Sequence, residues 1–241
     1  MSGHSKWATT KRAKAVVDAK RGAVFTKLAN TITIAAREKG GDMETNPSLR
    51  AIVEKAKGFN MPKDNIERAI KKGTGELAGD VVEELYYEAV LPNNGQIIIK
   101  CLTDNKNRSA ASVRHAVSKA GGSLGSVMWN FEQKGVISIL KEELENKKVN
   151  LEGLELELIE ANIDDFKLED GGLFVFTKFE DLQKIKSIID AKGIEIDSAE
   201  IEYVAKEKNT LSEEDLNKVY TFLEELDDLE DVNDYYLNVE V

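Results

Sequence analysis

The first third of the chain places its apolar residues at helical spacing. Val24, Leu28, Ile32 and Ala35 recur every three or four positions, which predicts an amphipathic helix that ends at Gly40-Gly41. A second helix is predicted after a cap at Asn46-Pro47, and a third after Met61-Pro62, with its end at Gly73. The apolar residues of these two helices are Leu49, Ile52, Val53, Ala56, Ile66, Ala69 and Ile70.

After residue 80 the pattern changes to short β-rich runs that alternate with helices. Strands are predicted at 84–91, 96–102, 126–132, 135–140, 163–168, 173–177, 194–204 and 234–241. Helices are predicted at 109–120, 151–160 and 181–191. A last helix is predicted to begin after Ser212, because the residues that follow it are acidic and acidic side chains are favoured at a helix N-terminus.

This order of elements predicts an α+β fold of three domains. Residues 1–77 form a basic helical domain of three helices, and a glycine-rich linker follows. Residues 135–204 read β-α-β-β-α-β, which is the split βαβ pattern of a ferredoxin-like domain. The flanks, 81–133 and 208–241, together form a discontinuous α+β domain of similar type, so the third domain is inserted in the second.

The composition excludes several classes of protein. The chain has 241 residues, 41% of them hydrophobic and 32% charged, and no run of about 18 apolar residues, so no membrane partner is expected. One cysteine and two histidines are too few for a His/Cys metal site, and neither a metal nor a cofactor is expected. The scarcity of cysteine and the polar N-terminus fit a cytoplasmic protein.

Charge is distributed unevenly along the chain. The net charge of −11 combines +8 over residues 1–77 with −19 over residues 78–241. A basic module on an acidic body can orient its basic end toward a polyanion, whereas a uniformly acidic protein would be repelled by phosphate.

The densest basic run lies within the first 27 residues. Its seven cations, opposed only by Asp18, are Lys6, Lys11, Arg12, Lys14, Lys20, Arg21 and Lys27. Cations on a helix can neutralise phosphates and release condensed counterions, and Trp7 could stack on a base. The alternative for the cations is that they form a solvated helical face. For Trp7 the alternative is packing within the protein, and packing is the favoured interpretation.

A polar string between a strand and a helix is the second candidate site. The string is Thr103-Asp104-Asn105-Lys106-Asn107-Arg108. Helix N-termini bind anions, and Arg108 and Arg114 would lie nearby, so both are candidates for contact with nucleic acid. An equally good alternative is a capped strand-to-helix turn, with Asn107 or Ser109 as the cap.

Candidates for catalysis are weak. His4 lies near the terminus with no carboxylate beside it, and His115 lies next to Arg114 on a predicted helix face. Cys101 falls in an apolar strand, where a buried and inert thiol is the ordinary outcome. No catalytic residue is assigned, and a non-enzymatic protein is predicted.

Five motifs stand out along the chain: Gly3-His4-Ser5-Lys6-Trp7, Asp18-Ala19-Lys20-Arg21, Phe25-Thr26-Lys27-Leu28, Leu102-Thr103-Asp104-Asn105 and the string 60–73, NMPKDNIERAIKKG. They resemble motifs of the YebC/PmpR family of probable transcriptional regulatory proteins, whose relatives include a mitochondrial translational activator of cytochrome c oxidase. The resemblance covers residues 2–240. It implies a helical first domain, then two α+β domains with the third inserted in the second.

The resemblance also implies a cytoplasmic, DNA-binding regulator of transcription. The alternative is a ribosome-associated factor that binds ribosomal or transfer RNA and assists translation of proline-rich stretches. An enzyme such as a nuclease is a third class. The residues that could read base edges in the first domain are Asn30, Arg37, Arg50, Asn65 and Arg68.

Overall fold

The computed structural model describes residues 21–169 and 171–240. By their mutual contacts these residues form two units, which we call the N-terminal unit (21–126 with 212–235) and the central unit (127–211 with 236–240). The predicted α+β class is confirmed: a helical region is followed by helices and antiparallel sheets. The division into three domains stays a prediction, because the helical region and the first sheet fall in the same unit.

Three helices open the described chain: α1 (Arg21–Lys39), α2 (Pro47–Gly58) and α3 (Lys63–Thr74). The side chain of Asn46 caps α2 by accepting a hydrogen bond from the amide of Leu49, as predicted. The apolar stripes meet in one core, whose buried members are Leu28, Ile32, Ala35, Ala36, Leu49, Val53, Ala56, Met61, Ile66 and Ala69.

Gly73 does not end the third helix, contrary to the sequence-based prediction, but lies inside it. A Cβ atom at Gly73 would lie 2.8 Å from Cβ of Ala36 and closer still to the carbonyl oxygen of Thr33. The glycine therefore allows α1 and α3 to touch at their backbones. The helix is capped instead by Gly75, whose φ of 82° is in the left-handed region that glycine tolerates.

The rest of the N-terminal unit is a four-stranded sheet with two helices. Strands β1 (Glu83–Leu91) and β2 (Gly95–Thr103) form an antiparallel hairpin across the turn Pro92–Asn94. The sheet order is β3-β1-β2-β9, where β3 is Ser123–Leu124 and β9 is Val232–Leu237. The two helices are α4 (Lys106–Lys119) and α8 (Glu213–Asp227).

The central unit contains the split βαβ arrangement. Its strands are β4 (Phe131–Leu140), β5 (Asp165–Glu169), β6 (Gly172–Lys178) and β7 (Ser198–Ala205), in the antiparallel order β5-β6-β4-β7. Its helices are α5 (Lys141–Asn146), α6 (Leu151–Glu160) and α7 (Leu182–Ala191). Side chains on one face of β4 and β6 pack with these helices around buried Leu158, Ile185 and Ile189. The short strands β8 (Asn209–Thr210) and β10 (Val239–Glu240) pair in parallel.

Two predictions of the central sequence were wrong. The strand predicted at 126–132 belongs to a strand only at its last two residues, because residues 128–130 form a turn; those two residues and the strand predicted at 135–140 are parts of one strand, β4, which pairs with β6 on one side and β7 on the other. Gly135, inside β4, allows close packing: a Cβ there would lie 2.9 Å from Cβ of Leu182. The helix α5 was missed. In the part of the chain that the structure describes, no helix is long and apolar enough to cross a membrane.

Candidate nucleic-acid interface

Most of the predicted basic run lies outside the described residues. This applies to Lys6, Trp7, Lys11, Arg12, Lys14 and Lys20. Arg21 is the first residue of α1, and its side chain lies outside the described part too. Contact of these residues with nucleic acid therefore stays a prediction, which rests on their charge and on their position immediately before α1.

Lys27 is bound within the protein. Its Nζ donates a hydrogen bond to the carbonyl oxygen of Asp227, at 2.7 Å. Asp227 is the last residue of α8, where the helix dipole and the unsatisfied carbonyls favour a cation. Lys27 thus joins α1 to the end of α8, and this bond must loosen before the ammonium group can reach a phosphate.

Arg108 is held by two carboxylates. Its Nε donates to Oδ2 of Asp231 at 3.0 Å and its Nη2 to Oδ1 at 2.7 Å, while Nη2 also lies 3.1 Å from Oδ1 of Asp104. Hydrogen bonding to Asp231 raises the pKa of Arg108 above its ordinary value. The guanidinium is therefore a fixed cation whose bidentate partner is already present.

The polar string before Arg108 is a capped turn. Asn105, rather than the predicted Asn107 or Ser109, is the N-cap of α4: its Oδ1 accepts from the amide of Arg108 at 3.0 Å. The amide of Asn105 in turn donates to Oγ1 of Thr103, also at 3.0 Å. Because the cap occupies an amide at the start of the helix, these hydrogen bonds favour the capped turn over an anion-binding site.

Arg114 differs from the two cations above. It lies on α4 with its side chain exposed, while the neighbouring Val113, Ala116 and Val117 are buried. His115, beside it, is exposed as well. Arg114 is therefore a surface cation of the N-terminal unit, and its contact with nucleic acid stays a prediction.

Three of the residues suggested as base readers form hydrogen bonds within the protein. Asn30 donates to the carbonyl oxygen of Leu102 at 3.0 Å, and Arg37 to that of Val82 at 2.6 Å. Arg50 closes the loop before α2 by donating to the carbonyls of Met43 and Glu44.

The two other suggested base readers lie on α3. Arg68 is exposed, and Asn65 is half-buried.

Sequence reasoning missed the polar contacts that fix α1 against the first sheet and against α8. Besides the bonds of Lys27, Asn30 and Arg37, Oγ1 of Thr31 donates to Oδ1 of Asn233 at 3.1 Å. Polar residues at 27, 30, 31 and 37 lie beside the apolar stripe of α1, and their position next to the stripe was the one sign in the sequence that they make internal contacts. Without the partner strands, however, the same residues look like a solvated face.

Catalytic chemistry has little support among the described residues. Cys101 is buried in β2, and desolvation raises the pKa of its thiol to about 11, so the nucleophilic thiolate is suppressed. In residues 21–169 and 171–240, no cluster of three or more His, Cys, Asp or Glu side chains is arranged to hold a metal ion. His4, the other histidine, lies outside the described residues.

The fold and the site define a class: an α+β protein with a basic N-terminal sequence, a helical region and antiparallel sheets. Two family models match the chain, the TACO1/YebC protein N-terminal domain over residues 5–76 and the TACO1/YebC second and third domain over residues 82–239. The chain belongs to the TACO1/YebC family.

Relatives of known sequence match over the whole chain. A protein of Desulforapulum autotrophicum is 44% identical and one of Thermotoga maritima 45% identical, each over all of this chain and over 97% and 94% of its own length. Both are named probable transcriptional regulatory proteins. The crystal structure of a conserved hypothetical protein from Aquifex aeolicus is similar, with a TM-score of 0.82, 38% identity and coverage of 98% of this chain and 97% of that one.

Proposed function

We propose that this protein is a non-enzymatic, cytoplasmic regulator of gene expression that binds DNA at the promoters it regulates. The observation that carries the proposal is the charge distribution: residues 1–27 hold seven cations and a single acid, whereas residues 78–241 carry a net charge of −19. The names of the relatives support regulation of transcription at the level of the family.

The electrostatics explain how such a chain would approach its ligand. Lysines and arginines near the N-terminus gain free energy by releasing the counterions condensed on a polyanion. The acidic remainder is repelled by the same phosphates, so the protein meets the nucleic acid with its basic end. Arg114, exposed on α4, is a further cation for this contact, whereas Arg108 contributes through the turn that it stabilises.

A second candidate function has a specific observation in its favour. Three of the five side chains suggested as base readers donate to carbonyls of the protein itself, so few remain to distinguish one DNA sequence from another. A factor that binds ribosomal or transfer RNA on the ribosome can recognise shape and backbone instead. The alternative is therefore a translation factor that uses the same basic end.

The two candidates are distinguished by crosslinking in living cells followed by sequencing of the attached nucleic acid. Discrete promoter fragments, no longer recovered when Lys11, Arg12, Lys20 and Arg21 are replaced by alanine, are the expected result. Ribosomal or transfer RNA without enrichment of promoter DNA would replace the first candidate by the second. Absence of any nucleic acid above a mock-crosslinked control would contradict both.

A further inference from the structure

The helix α6 carries two exposed apolar side chains. Leu156 and Ile159 are 65% and 55% exposed, whereas Leu154 and Leu158 of the same helix are buried in the core of the central unit. A spacing of three residues places Leu156 and Ile159 next to each other on the outer face of the helix. The inward residues therefore account for the packing of α6, and the outer pair adds little to it.

Carboxylates surround this apolar pair on the same face of the helix. Glu152, Glu155 and Glu160 each lie four positions from Leu156 or Ile159, and α6 contains no lysine or arginine. Within residues 21–169 and 171–240, none of these three carboxylates forms an ion pair or a hydrogen bond. The five residues, which we call the α6 surface, are Glu152, Glu155, Leu156, Ile159 and Glu160.

Two lysines contact α6 along a different side. Lys192, which follows α7, pairs with Glu157, and Nζ of Lys184 donates to the carbonyl oxygen of Ala161 at 3.1 Å. Glu157 and Ala161 are four residues apart, so both lysines lie along one flank of the helix. The charges of α7 and the turn after it therefore leave the carboxylates of the α6 surface uncompensated.

This arrangement of charge does not favour the helix by itself. Glutamates three residues apart on a helix repel each other, as do Glu152 and Glu155. Glu160 is the last residue of α6, where the helix dipole disfavours an anion and favours a cation. Cations bound at the α6 surface would relieve both unfavourable interactions.

The sign of the charge decides which partner fits this surface. The phosphates of a nucleic acid or of an anionic membrane are repelled by its three carboxylates. A second copy that docked through the same surface would bring like charges together. A segment rich in lysine and arginine has the complementary charge, and apolar residues within it can cover Leu156 and Ile159.

We propose that the α6 surface binds a basic, amphipathic helical segment of a partner protein. Apolar residues of the segment, three or four positions apart, contact Leu156 and Ile159, and its cations pair with the surrounding glutamates. This inference goes beyond the proposed function, because the protein would bind nucleic acid through residues 6–27 and a basic protein through its central unit.

Synthetic peptides test the chemistry of the partner on the full-length protein. The probe is two repeats of Lys-Leu-Ala-Lys-Lys-Leu-Ala, labelled for fluorescence anisotropy, in which the leucines lie along one helix face. A second peptide has serine in place of each leucine and the same charge. The leucine peptide is expected to bind about 10-fold more tightly or better, because only it can cover the apolar pair. Equal affinities of the two peptides, or no binding of either, would overturn the proposal.

The apolar half of the α6 surface is removed by Leu156→Ser with Ile159→Ser. Affinity for the leucine peptide should fall by about 10-fold or more, and the melting temperature should stay close to wild type because both side chains are exposed. The matched control is Leu77→Ser with Val81→Ser, two exposed apolar residues between α3 and β1, and it should bind like wild type. Wild-type affinity in the α6 variant would contradict the assignment of the surface.

The charged half is tested by replacing Glu152, Glu155 and Glu160 together with glutamine. Affinity for the leucine peptide should fall and should decrease less steeply with added salt, because fewer charge pairs remain to be screened. The melting temperature should change little, since the attraction of Glu152 to the helix N-terminus is lost while the repulsion at Glu160 is relieved. A control with the same change in charge, expected to keep the wild-type salt dependence, replaces exposed glutamates of the N-terminal unit with glutamine: Glu38, Glu54 and Glu230. An unchanged salt dependence in the α6 variant would overturn the proposed charge pairing.

Two further measurements identify the occupant and separate this inference from the proposed function. A peptide of residues 1–20 is tested as a competitor of the leucine peptide. Weaker binding of that peptide supports a partner protein, whereas tighter binding at the α6 surface would overturn the partner in favour of the chain's own basic segment. Affinity for duplex DNA should be unchanged in Leu156→Ser with Ile159→Ser, so failure of the α6 surface leaves the proposed function standing. Failure to bind DNA, in turn, leaves the α6 surface standing.

Discussion

The guanidinium of Arg108 and the carboxylate of Asp231 form a bidentate pair, with Nε–Oδ2 and Nη2–Oδ1 distances of 3.0 and 2.7 Å, across 123 residues of sequence. Asp231 precedes β9, and its carbonyl accepts from the amide of Leu102 in β2. The pair therefore connects the start of α4 to the strand that arrives from the far end of the chain.

Removal of either partner of this pair should destabilise the fold. The carboxylate of Asp231 is 9% exposed and the arginine side chain is 52% exposed, so screening lowers the cost of Arg108→Ala or Asp231→Asn to about 1–2 kcal/mol each. Urea unfolding of the two single variants and the double variant forms a cycle. The double variant should lose less free energy of unfolding than the two single variants lose together. Strictly additive losses would show that the interaction between the two side chains contributes nothing.

Gly73 should tolerate no side chain. Gly73→Ala places a Cβ against Ala36 and the backbone of Thr33, so α1 and α3 must separate, at a cost of about 2 kcal/mol or more. The control is Gly58→Ala at the end of α2, where a Cβ meets nothing within 4 Å. That substitution should be neutral or stabilise by up to about 1 kcal/mol. Equal melting temperatures of the two variants would contradict the packing of α1 on α3.

Local signals in the sequence predicted the helices well. The stripe over α1, the Asn46 cap of α2 and the Ser212 cap of α8 each depend on neighbours a few residues away, and all three are confirmed. The errors arose where contact with an element far away in the sequence determines the local structure. Gly73 was predicted to end a helix, but it instead allows α1 and α3 to approach closely.

Truncation tests the discontinuous domain, which remains a prediction. A fragment that ends at Leu211 lacks α8 and β9, so β2 keeps β1 on one side but loses its neighbour on the other, where it becomes an exposed apolar edge. Excision of residues 131–205 should be tolerated better, because the amide of Lys206 already bonds to the carbonyl of Asn130 and a short Gly-Ser linker can join the ends. Sedimentation and circular dichroism should show an aggregated truncation and a soluble, folded excision. A monomeric, cooperatively folding 1–211 fragment would contradict the topology.

The candidate site was harder to predict than the fold. A charge run is visible in sequence, but sequence does not show which cations have internal partners. Lys27 and Arg108 bind Asp227 and Asp231, which lie 200 and 123 positions away, and no local pattern reveals such pairs.

The most direct test of the account is the salt dependence of nucleic-acid affinity. Wild type is compared with Lys11→Ala/Arg12→Ala/Lys20→Ala/Arg21→Ala on one duplex DNA, over a range of salt concentrations. The matched control carries the same charge change in the central unit, at the exposed residues Lys141, Lys147, Lys178 and Lys184. The account predicts that the N-terminal variant flattens the log–log slope by about 0.9 for each phosphate it no longer neutralises, and that the control retains the wild-type slope. An unchanged slope in the N-terminal variant would contradict the assignment of residues 6–27 as the segment that binds phosphate.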